Sequence, residues 1–212
     1  MSRSADMNPA RARILAGARR HFLAHGSRSV SMDTLARELG VSKKTLYVHF
    51  PTKFALLDEV IRTKLAEVEA DLARIREEHA GNPVKGLNEL LFAWRQQVSE
   101  VQPGFLRDMQ MEAPAQFELF SIKRRALVHK YFGGLLEEGR AAGAIRDDIP
   151  PGFIVEVLLG AAGALGRPEK IDELGLTPKA LFSNLTSVLI EGMLTAKGRR
   201  RWTAYKSSAG PR

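Results

Sequence analysis

Residues 35–57, LARELGVSKKTLYVHFPTKFALL, decide the fold of this 212-residue chain. Two short stretches with helical spacing of apolar residues lie on either side of Gly40. Ser31 and Ser42 precede the two stretches, and serine is a favoured N-cap because its oxygen accepts a backbone N–H. Gly40 supplies the backbone freedom that a tight turn requires. Together these features predict a helix-turn-helix.

The second helix of this pair, predicted over residues 42–49, has an apolar side and a polar side. Leu46 and Phe50 fall on the inner side, and the other positions face outward. Lysine donates to guanine edges or phosphates, threonine bonds a base or packs on the thymine methyl, and tyrosine and histidine donate to phosphates. Free N–H groups at helix starts also attract a phosphate. The residues expected to contact DNA are Ser31, Ser42, Lys43, Lys44, Thr45, Tyr47, His49 and Lys53.

The rest of the chain carries helical patterns as well. Before the helix-turn-helix, apolar residues recur at helical spacing until Gly26 ends the pattern. These residues are Ile14, Leu15, Ala18 and Phe22. Further helices are predicted over residues 51–79, 84–101, 103–112, 115–142, 150–166 and 177–196. Proline and glycine separate these patterns, and the sequence contains neither convincing strand alternation nor an internal repeat. The predicted fold class is all-α, with about nine helices.

The charges divide the chain into three parts. Residues 1–53 carry ten basic and three acidic residues, residues 54–195 carry sixteen and twenty-one, and residues 196–212 carry six and none. A basic N-terminal part on an acidic body indicates that one end meets a polyanion, although basic patches also occur without a ligand. We predict a helix-turn-helix DNA-binding domain over 1–53, a helical ligand-binding and dimerisation domain over 54–196, and a mobile basic tail over 197–212. The tail either touches DNA or aids solubility.

Composition excludes several classes of protein. The chain contains no cysteine, so a disulfide framework, a thiolate metal site and a cysteine nucleophile are excluded. A helix needs about 20 apolar residues to cross a bilayer, and no apolar stretch of the sequence is that long. The N-terminus also lacks the apolar run of a signal peptide. We therefore expect a soluble, cytoplasmic protein without a membrane partner.

Residues 35–57 also resemble a known signature. Gly-Val-Ser, Thr-Leu-Tyr, His-Phe and a lysine after the proline follow in the order typical of the tetracycline-repressor (TetR) family of transcriptional regulators, and the preceding helix is similar too. The resemblance implies a homodimer that binds a palindromic DNA operator. Lys44 departs from the family, where a small residue is common, so we expect it to alter base preference or to contact a phosphate. The residues that match family DNA-contact positions are Lys43, Lys44, Thr45, Tyr47, His49 and Lys53.

The TetR resemblance also implies a ligand-binding body, and residues 92–132 have the side chains for an apolar cavity. Aromatic residues and methionines are frequent there, with a few polar groups among them. An ordinary helical core is the simpler explanation for any single one of them. For the region as a whole we expect a small hydrophobic effector. The residues expected to bind it are Phe92, Trp94, Phe105, Met109, Phe117, Phe120 and His129.

Two apolar helical patterns near the C-terminus, over residues 153–165 and 181–194, are the expected dimer helices. Small residues on the first allow close packing, and two such helices from each subunit build a four-helix interface with two-fold symmetry. The alternative is that both helices only close the core of the monomer. The residues expected at the interface are Phe153, Val157, Gly160, Ala164, Leu185, Val188 and Leu189.

Other function classes have less support in the sequence. His21 and His25 lie four residues apart, as on one side of a helix, but no third metal ligand is evident, and no Gly-rich phosphate loop is found. We therefore predict no catalytic residue, no metal and no cofactor. The alternative function is a helical protein that binds a lipophilic ligand without binding DNA, and the basic residues between 43 and 53 argue against it.

Overall fold

The computed structural model describes residues 8–100 and 103–208. These residues form twelve α-helices and one π-helical turn, with no strand and a single antiparallel bridge between Ile145 and Leu194. The prediction of an all-α fold is confirmed. The helices are α1 (Pro9–His25), α2 (Met32–Glu38), α3 (Lys43–His49), α4 (Lys53–Glu78), α5 (Pro83–Glu100), α6 (Pro103–Glu112), α7 (Pro114–Val128), the π-turn (His129–Gly133), α8 (Gly134–Ala141), α9 (Pro151–Leu165), α10 (Pro168–Glu173), α11 (Pro178–Met193) and α12 (Ala196–Ser208).

Helix α1 begins and ends at residues that suit those positions. The Asn8 side chain accepts a hydrogen bond from the Ala10 N–H at 2.9 Å, and Pro9 occupies the first turn, where its missing N–H costs nothing. Gly26 follows the helix with a φ of +79°, a conformation that residues with a side chain rarely adopt. The helix buries the side chains predicted for its inner side, which are Ile14, Leu15, Ala18 and Phe22.

The contacts within the chain group into two compact units. The first contains α1, α2, α3, α4 up to Glu67, α6, and α7 up to Ile122. The second contains the rest of α4 and α7, α5 up to Ser99, and all the later helices. This grouping differs from the predicted division at residue 53, because contacts with α1 place α6 in the first unit. The functional assignment of the two parts stays a prediction.

The second unit has a continuous apolar core. Helix α9 is its centre, since it packs against α10, α11 and the π-turn. The ring of Trp94 packs against this core, with its centre 5.7 Å from the ring centre of the core residue Phe182. The core includes the buried side chains of Leu87, Leu90, Phe132, Leu135, Val155, Leu158 and Ile190.

Two segments of the second unit differ from the predicted helices. The helix predicted over 115–142 is interrupted by the π-turn, which inserts one extra residue and buries Tyr131 and Phe132. The predicted helices leave residues 167–176 without secondary structure, and the short helix α10 lies there. Pro168 suits the first turn of α10, and the buried Ile171 anchors it.

The basic tail also differs from the expected mobile arm. Residues Ala196–Ser208 form α12, and residues 209–212 of the predicted tail lie outside the described residues. Trp202 is buried in the core of the second unit, and the Asn82 side-chain amide donates a hydrogen bond to the Tyr205 hydroxyl at 2.7 Å. These two aromatic residues are three positions apart and therefore share one side of the helix. They anchor a segment whose composition alone indicates mobility.

Candidate nucleic-acid interface

The turn between α2 and α3 is a Schellman motif. The N–H of Gly40 donates to the Arg37 carbonyl at 3.2 Å, and the N–H of Val41 donates to the Ala36 carbonyl at 3.0 Å. Gly40 has a φ of +61°, and a Cβ added there meets no described atom within 4 Å. Backbone conformation alone therefore requires glycine at this position. The motif ends α2 and sets the direction in which α3 leaves it.

Apolar side chains hold α3 on its inner side. Leu46 is fully buried and Phe50 nearly so, as predicted. Gly17 on α1 leaves the space that Leu39 fills, because a Cβ on Gly17 would overlap the Leu39 side chain. The guanidinium of Arg11 lies 4.9 Å from the centre of the Phe50 ring, a cation–π contact. The packing fixes one side of α3 and leaves the opposite side outward.

A charged cluster joins α1 to α4 within the same unit. Glu59 accepts hydrogen bonds from Arg62 and from Nη1 of Arg11, the latter at 3.2 Å. The hydrogen bond from Arg62 is the largest cause that lowers the pKa of the Glu59 carboxyl below its ordinary value. Burial opposes it by raising the pKa, and the hydrogen bond from Arg11 lowers it further. Glu59 is therefore a carboxylate at neutral pH and attracts both guanidinium groups.

Ser31 and Ser42 cap the two helices of the motif. The Oγ of Ser31 accepts a hydrogen bond from the Thr34 N–H, and the Oγ of Ser42 accepts one from the Thr45 N–H, each at 3.0 Å. The Oγ of Ser42 also lies 2.8 Å from the Oγ1 of Thr45. The predicted capping roles are confirmed, and contact of these serines with DNA stays a prediction.

The outward side of α3 carries the residues predicted to contact DNA. Both lysines are exposed, 46% of the Tyr47 side chain is exposed, and the threonine and the histidine are half-buried. The Nζ of Lys43 lies 2.6 Å from the Oδ2 of Asp33 on α2, which orients this lysine in the free protein. The structure thus places five of the predicted residues on one short helix, namely Lys43, Lys44, Thr45, Tyr47 and His49.

Val48 is an outward residue that the sequence argument missed. With 71% of its surface exposed, it is one of the most exposed large apolar residues among those described. It lies four positions after Lys44, so the two side chains are neighbours on one side of α3. An exposed apolar group on such a helix can pack on the methyl group of thymine. Helical spacing already places Val48 on the outward side, but the predicted contacts include only polar side chains.

Lys53, the last of the predicted DNA contacts, lies at the start of α4. Thr52 caps this helix, since its Oγ1 accepts the Ala55 N–H at 3.0 Å. The Lys53 side chain is only 25% exposed, and its Nζ lies 3.6 Å from the Oε2 of Glu112 at the end of α6. The Oε1 of Glu112 lies 3.8 Å from the Nε of Arg28. Glu112 and Arg28 are not among the residues predicted from the sequence, because both lie far from Lys53 along the chain and no local pattern indicates these contacts.

The comparison with protein families agrees with this geometry. Residues 14–60, from α1 into α4, match the family of bacterial regulatory proteins called tetR. The chain is also 28% identical over 200 residues to the HTH-type transcriptional regulator UidR of Escherichia coli K12, and the match covers 90% of this chain and 96% of UidR. The segment from α1 into α4 is therefore a TetR-type DNA-binding segment. A further relative of the chain is the uncharacterized HTH-type transcriptional regulator YvaF of Bacillus subtilis strain 168, which is 26% identical over 168 residues, with 78% of this chain and 86% of YvaF covered.

Solved structures share the fold of this chain. A TetR-family regulator from Agrobacterium tumefaciens matches 88% of this chain and 98% of its own, with a TM-score of 0.68 and 19% identity. The fatty acid degradation regulator FadR from Bacillus halodurans matches 88% of this chain and 97% of its own, with a TM-score of 0.67 and 18% identity. At these identities the likeness concerns the fold, while the relatives in sequence confirm a DNA-binding transcriptional regulator of the TetR type.

The residues predicted to bind an effector fall in both units. Phe105 and Met109 are buried in the first unit. In the second unit, Phe92 borders a polar groove of about 310 Å³ between α4 and α5, and Trp94 packs on Phe182. Their role in effector binding stays a prediction. The remaining predicted residues are Phe117 and Phe120 in the first unit and His129 in the second.

The residues predicted at the dimer interface lie on α9 and α11, and most of them are exposed. Phe153 exposes 59% of its surface and Val188 exposes 73%. Val157, Gly160 and Ala164 are also exposed. The other two, Leu185 and Leu189, are partly buried against the core of the second unit.

Glu156 lies on α9, among the residues predicted at the dimer interface, and its carboxylate is paired. Its two carboxylate oxygens lie 2.7 Å from the Nε2 of His129 and 2.5 Å from the Nη2 of Arg125. Loss of solvation by itself raises the pKa of the Glu156 carboxyl, but the hydrogen bonds from His129 and Arg125 outweigh it, so the pKa lies below its ordinary value. His129, a predicted effector residue, is thus engaged with α9.

Two further properties concern the described part of the chain. Within residues 8–100 and 103–208, no group of three histidine, aspartate or glutamate side chains is arranged to hold a metal ion. The Nε2 of His21 lies 3.0 Å from the Oε2 of Glu38, and its ring centre lies 6.0 Å from that of His25. Among the described helices, none has both the length and the apolar character to cross a membrane.

Proposed function

We propose that this protein is a homodimeric repressor of the TetR type, which binds a palindromic operator and releases it when a small hydrophobic effector binds. The main support for the proposal is the outward side of α3, where Lys44, Tyr47 and Val48 are exposed. Buried side chains hold the inner side of the same helix in place. An α-helix fits the major groove of DNA, where every base pair presents a distinct pattern of donors, acceptors and methyl groups. Repression is the proposed effect, because a protein on an operator obstructs polymerase.

We infer separate roles for the side chains of this surface. Thr45 and Val48 offer a hydroxyl and apolar groups, which suit base edges and thymine methyl groups. Tyr47 offers a hydroxyl and Lys53 an ammonium group, and both donate to phosphate oxygens and fix the register without reading sequence. Lys44 has a long exposed side chain and is assigned to a guanine edge or a phosphate.

A second copy of the chain is the proposed partner of α9 and α11. Phe153 and Val157 on α9 and Val188 on α11 are exposed, the two helices pack against each other, and exposed apolar patches mark association sites. A two-fold axis through this surface sets the same residues of both subunits against each other. Such a dimer presents two α3 helices to half-sites about 34–36 Å apart, which is one turn of the duplex.

The proposed effector acts on the distance between the two α3 helices. Helix α4 runs from the motif into the second unit, so a shift of its C-terminal part also moves its first turn. A coupling free energy of about 1–3 kcal/mol suffices to change operator occupancy. The aromatic side chains between residues 92 and 132 support a hydrophobic effector, since ligand sites are mostly apolar with a few polar groups.

Selection from random duplexes tests the proposal. The purified protein is incubated with a random-sequence library at low and moderate salt, bound duplexes are amplified, and the selected sequence is analysed. We expect a palindrome with half-sites about one helical turn apart, and affinity that falls steeply with salt. Candidate hydrophobic compounds are then titrated into the complex. A protein that binds lipophilic compounds but no duplex supports the alternative function and contradicts this one.

A further inference from the structure

One carboxylate stands between two cationic side chains of the first unit. Glu112 directs its Oε2 at the Nζ of Lys53, 3.6 Å away, and its Oε1 at the Nε of Arg28, 3.8 Å away. Lys53 begins α4, and Arg28 lies between α1 and α2. Three separate segments of the chain therefore meet at this carboxylate. Arg28 itself is largely exposed, so its guanidinium is accessible from solvent.

Helix α6 holds Glu112 in this position. Phe105 and Met109 bury one side of α6, and the helix packs on α1. The Oδ2 of Asp108 accepts a hydrogen bond from the backbone N–H of Arg28 at 3.3 Å. The backbone passes close to Asp108 because Gly26 has no side chain, and a Cβ there would overlap the carboxylate. Glu112, one turn further on, therefore faces Arg28 from a fixed helix.

We propose that Lys53 and Arg28 form a phosphate-binding site, which Glu112 occupies in the free protein and a DNA phosphate occupies in the complex. The inference rests on the proposed contact of Lys53 with DNA and adds Arg28 as a second phosphate contact. A carboxylate and a phosphate both present negatively charged oxygens that accept from lysine and arginine. Glu112 is thus an intramolecular competitor of DNA.

The distances explain why a phosphate can displace Glu112. Charge-assisted hydrogen bonds between such groups are usually about 2.7–2.9 Å long, and both contacts of Glu112 exceed that range. Loose pairs in partly exposed positions contribute little, so they are readily exchanged. Removal of the competing charge should therefore raise DNA affinity about two- to fivefold. The increase should be equal for specific and non-specific duplexes, because phosphate contacts carry no sequence information.

The test compares Glu112→Gln with Glu118→Gln, which removes the same charge from α7 in the same unit. Affinities of full-length proteins are measured by fluorescence anisotropy with a duplex selected by the wild-type protein and with an unrelated duplex. Circular dichroism confirms that the variants fold. Both glutamate substitutions are repeated in a Lys53→Gln/Arg28→Gln background. We expect Glu112→Gln to tighten binding to both duplexes more than Glu118→Gln does, and to lose this advantage in the double background.

The outcomes separate this inference from the proposed function. A wild-type protein that binds no duplex at low salt contradicts the proposed function, and the phosphate site falls with it. If the wild type binds DNA and Glu112→Gln acts no more strongly than Glu118→Gln, the competitor role alone is contradicted. The same holds if the effect of Glu112→Gln persists without Lys53 and Arg28, since the charge would then act through general repulsion of DNA.

Discussion

Replacement of Gly40 by alanine should lower both the stability of the helix-turn-helix and its affinity for DNA. Gly40 ends α2 with a φ of +61°, and a Cβ there has open space around it. The substitution therefore introduces backbone strain without a steric clash. Any effect on DNA binding must come from the direction in which the Schellman turn sets α3.

The magnitude follows from two opposing contributions. The left-handed conformation destabilises a residue with a side chain by about 1–2 kcal/mol. Alanine also restricts the unfolded chain, which stabilises the folded state by about 0.4–1 kcal/mol. The free energy of unfolding should therefore fall by about 1 kcal/mol. In the free variant the turn can relax to a conformation without this strain. Binding to DNA then has to restore the original turn, which costs the same free energy of about 1 kcal/mol, and affinity should fall about fivefold.

Gly175 provides a matched control in the second unit. It has a φ of +62°, its N–H donates to the Asp172 carbonyl at 3.0 Å, and the N–H of Leu176 donates to the Ile171 carbonyl at 3.1 Å. A Cβ on Gly175 also meets no described atom within 4 Å. Gly175→Ala should therefore cost the same stability in urea denaturation and leave DNA affinity unchanged. The proposed role of the Gly40 turn is contradicted if both variants lose the same affinity, or if the Gly40→Ala protein is as stable as wild type.

Three further changes have defined outcomes. Val48→Ala should weaken binding by about 1 kcal/mol to a selected duplex that contains thymine at the contacted position, and the difference should disappear when uracil replaces thymine. Val188→Arg should convert the dimer into monomers in analytical ultracentrifugation and weaken operator binding; an unchanged dimer contradicts the proposed interface. Glu59→Gln should cost about 1 kcal/mol of stability at pH 7, because the folded state lowers the pKa of this carboxyl. The stability difference between the two proteins should be complete above the pKa of glutamate in the unfolded chain, about 4.3, and should vanish as the pH falls through the lower pKa of the folded state. A stability difference that stays constant from about pH 7 to 3 contradicts this prediction.

Local signals were enough to predict the helix-turn-helix. Ser31, Gly40 and Ser42 act through backbone groups within a few positions, so their roles can be inferred from the sequence alone. Leu46 and Phe50 also follow from helical spacing. Val48 was open to the same argument and was missed because an exposed apolar residue was not considered as a DNA contact.

Other features depend on contacts between distant residues. The pairing of Lys53 with Glu112 joins α4 to α6, and nothing near either residue in the sequence indicates it. Likewise, the Asn82 side-chain amide donates to the hydroxyl of Tyr205, which lies 123 positions later in the chain, and this contact helps to anchor the arginine-rich helix α12. The π-turn keeps helical spacing on both sides, so periodicity alone does not separate it from a continuous helix.

Photo-cross-linking from α3 shows whether this helix lies in the major groove of the bound duplex. p-Benzoylphenylalanine is introduced at Val48 in one protein and at Leu174, an exposed residue of the second unit, in another. Each protein is irradiated with a selected, labelled duplex. We expect a covalent adduct from position 48 at a defined base of each half-site and none from position 174. Absence of an adduct from position 48 in a complex that demonstrably forms, or equal adducts from both positions, would contradict insertion of α3 into the major groove.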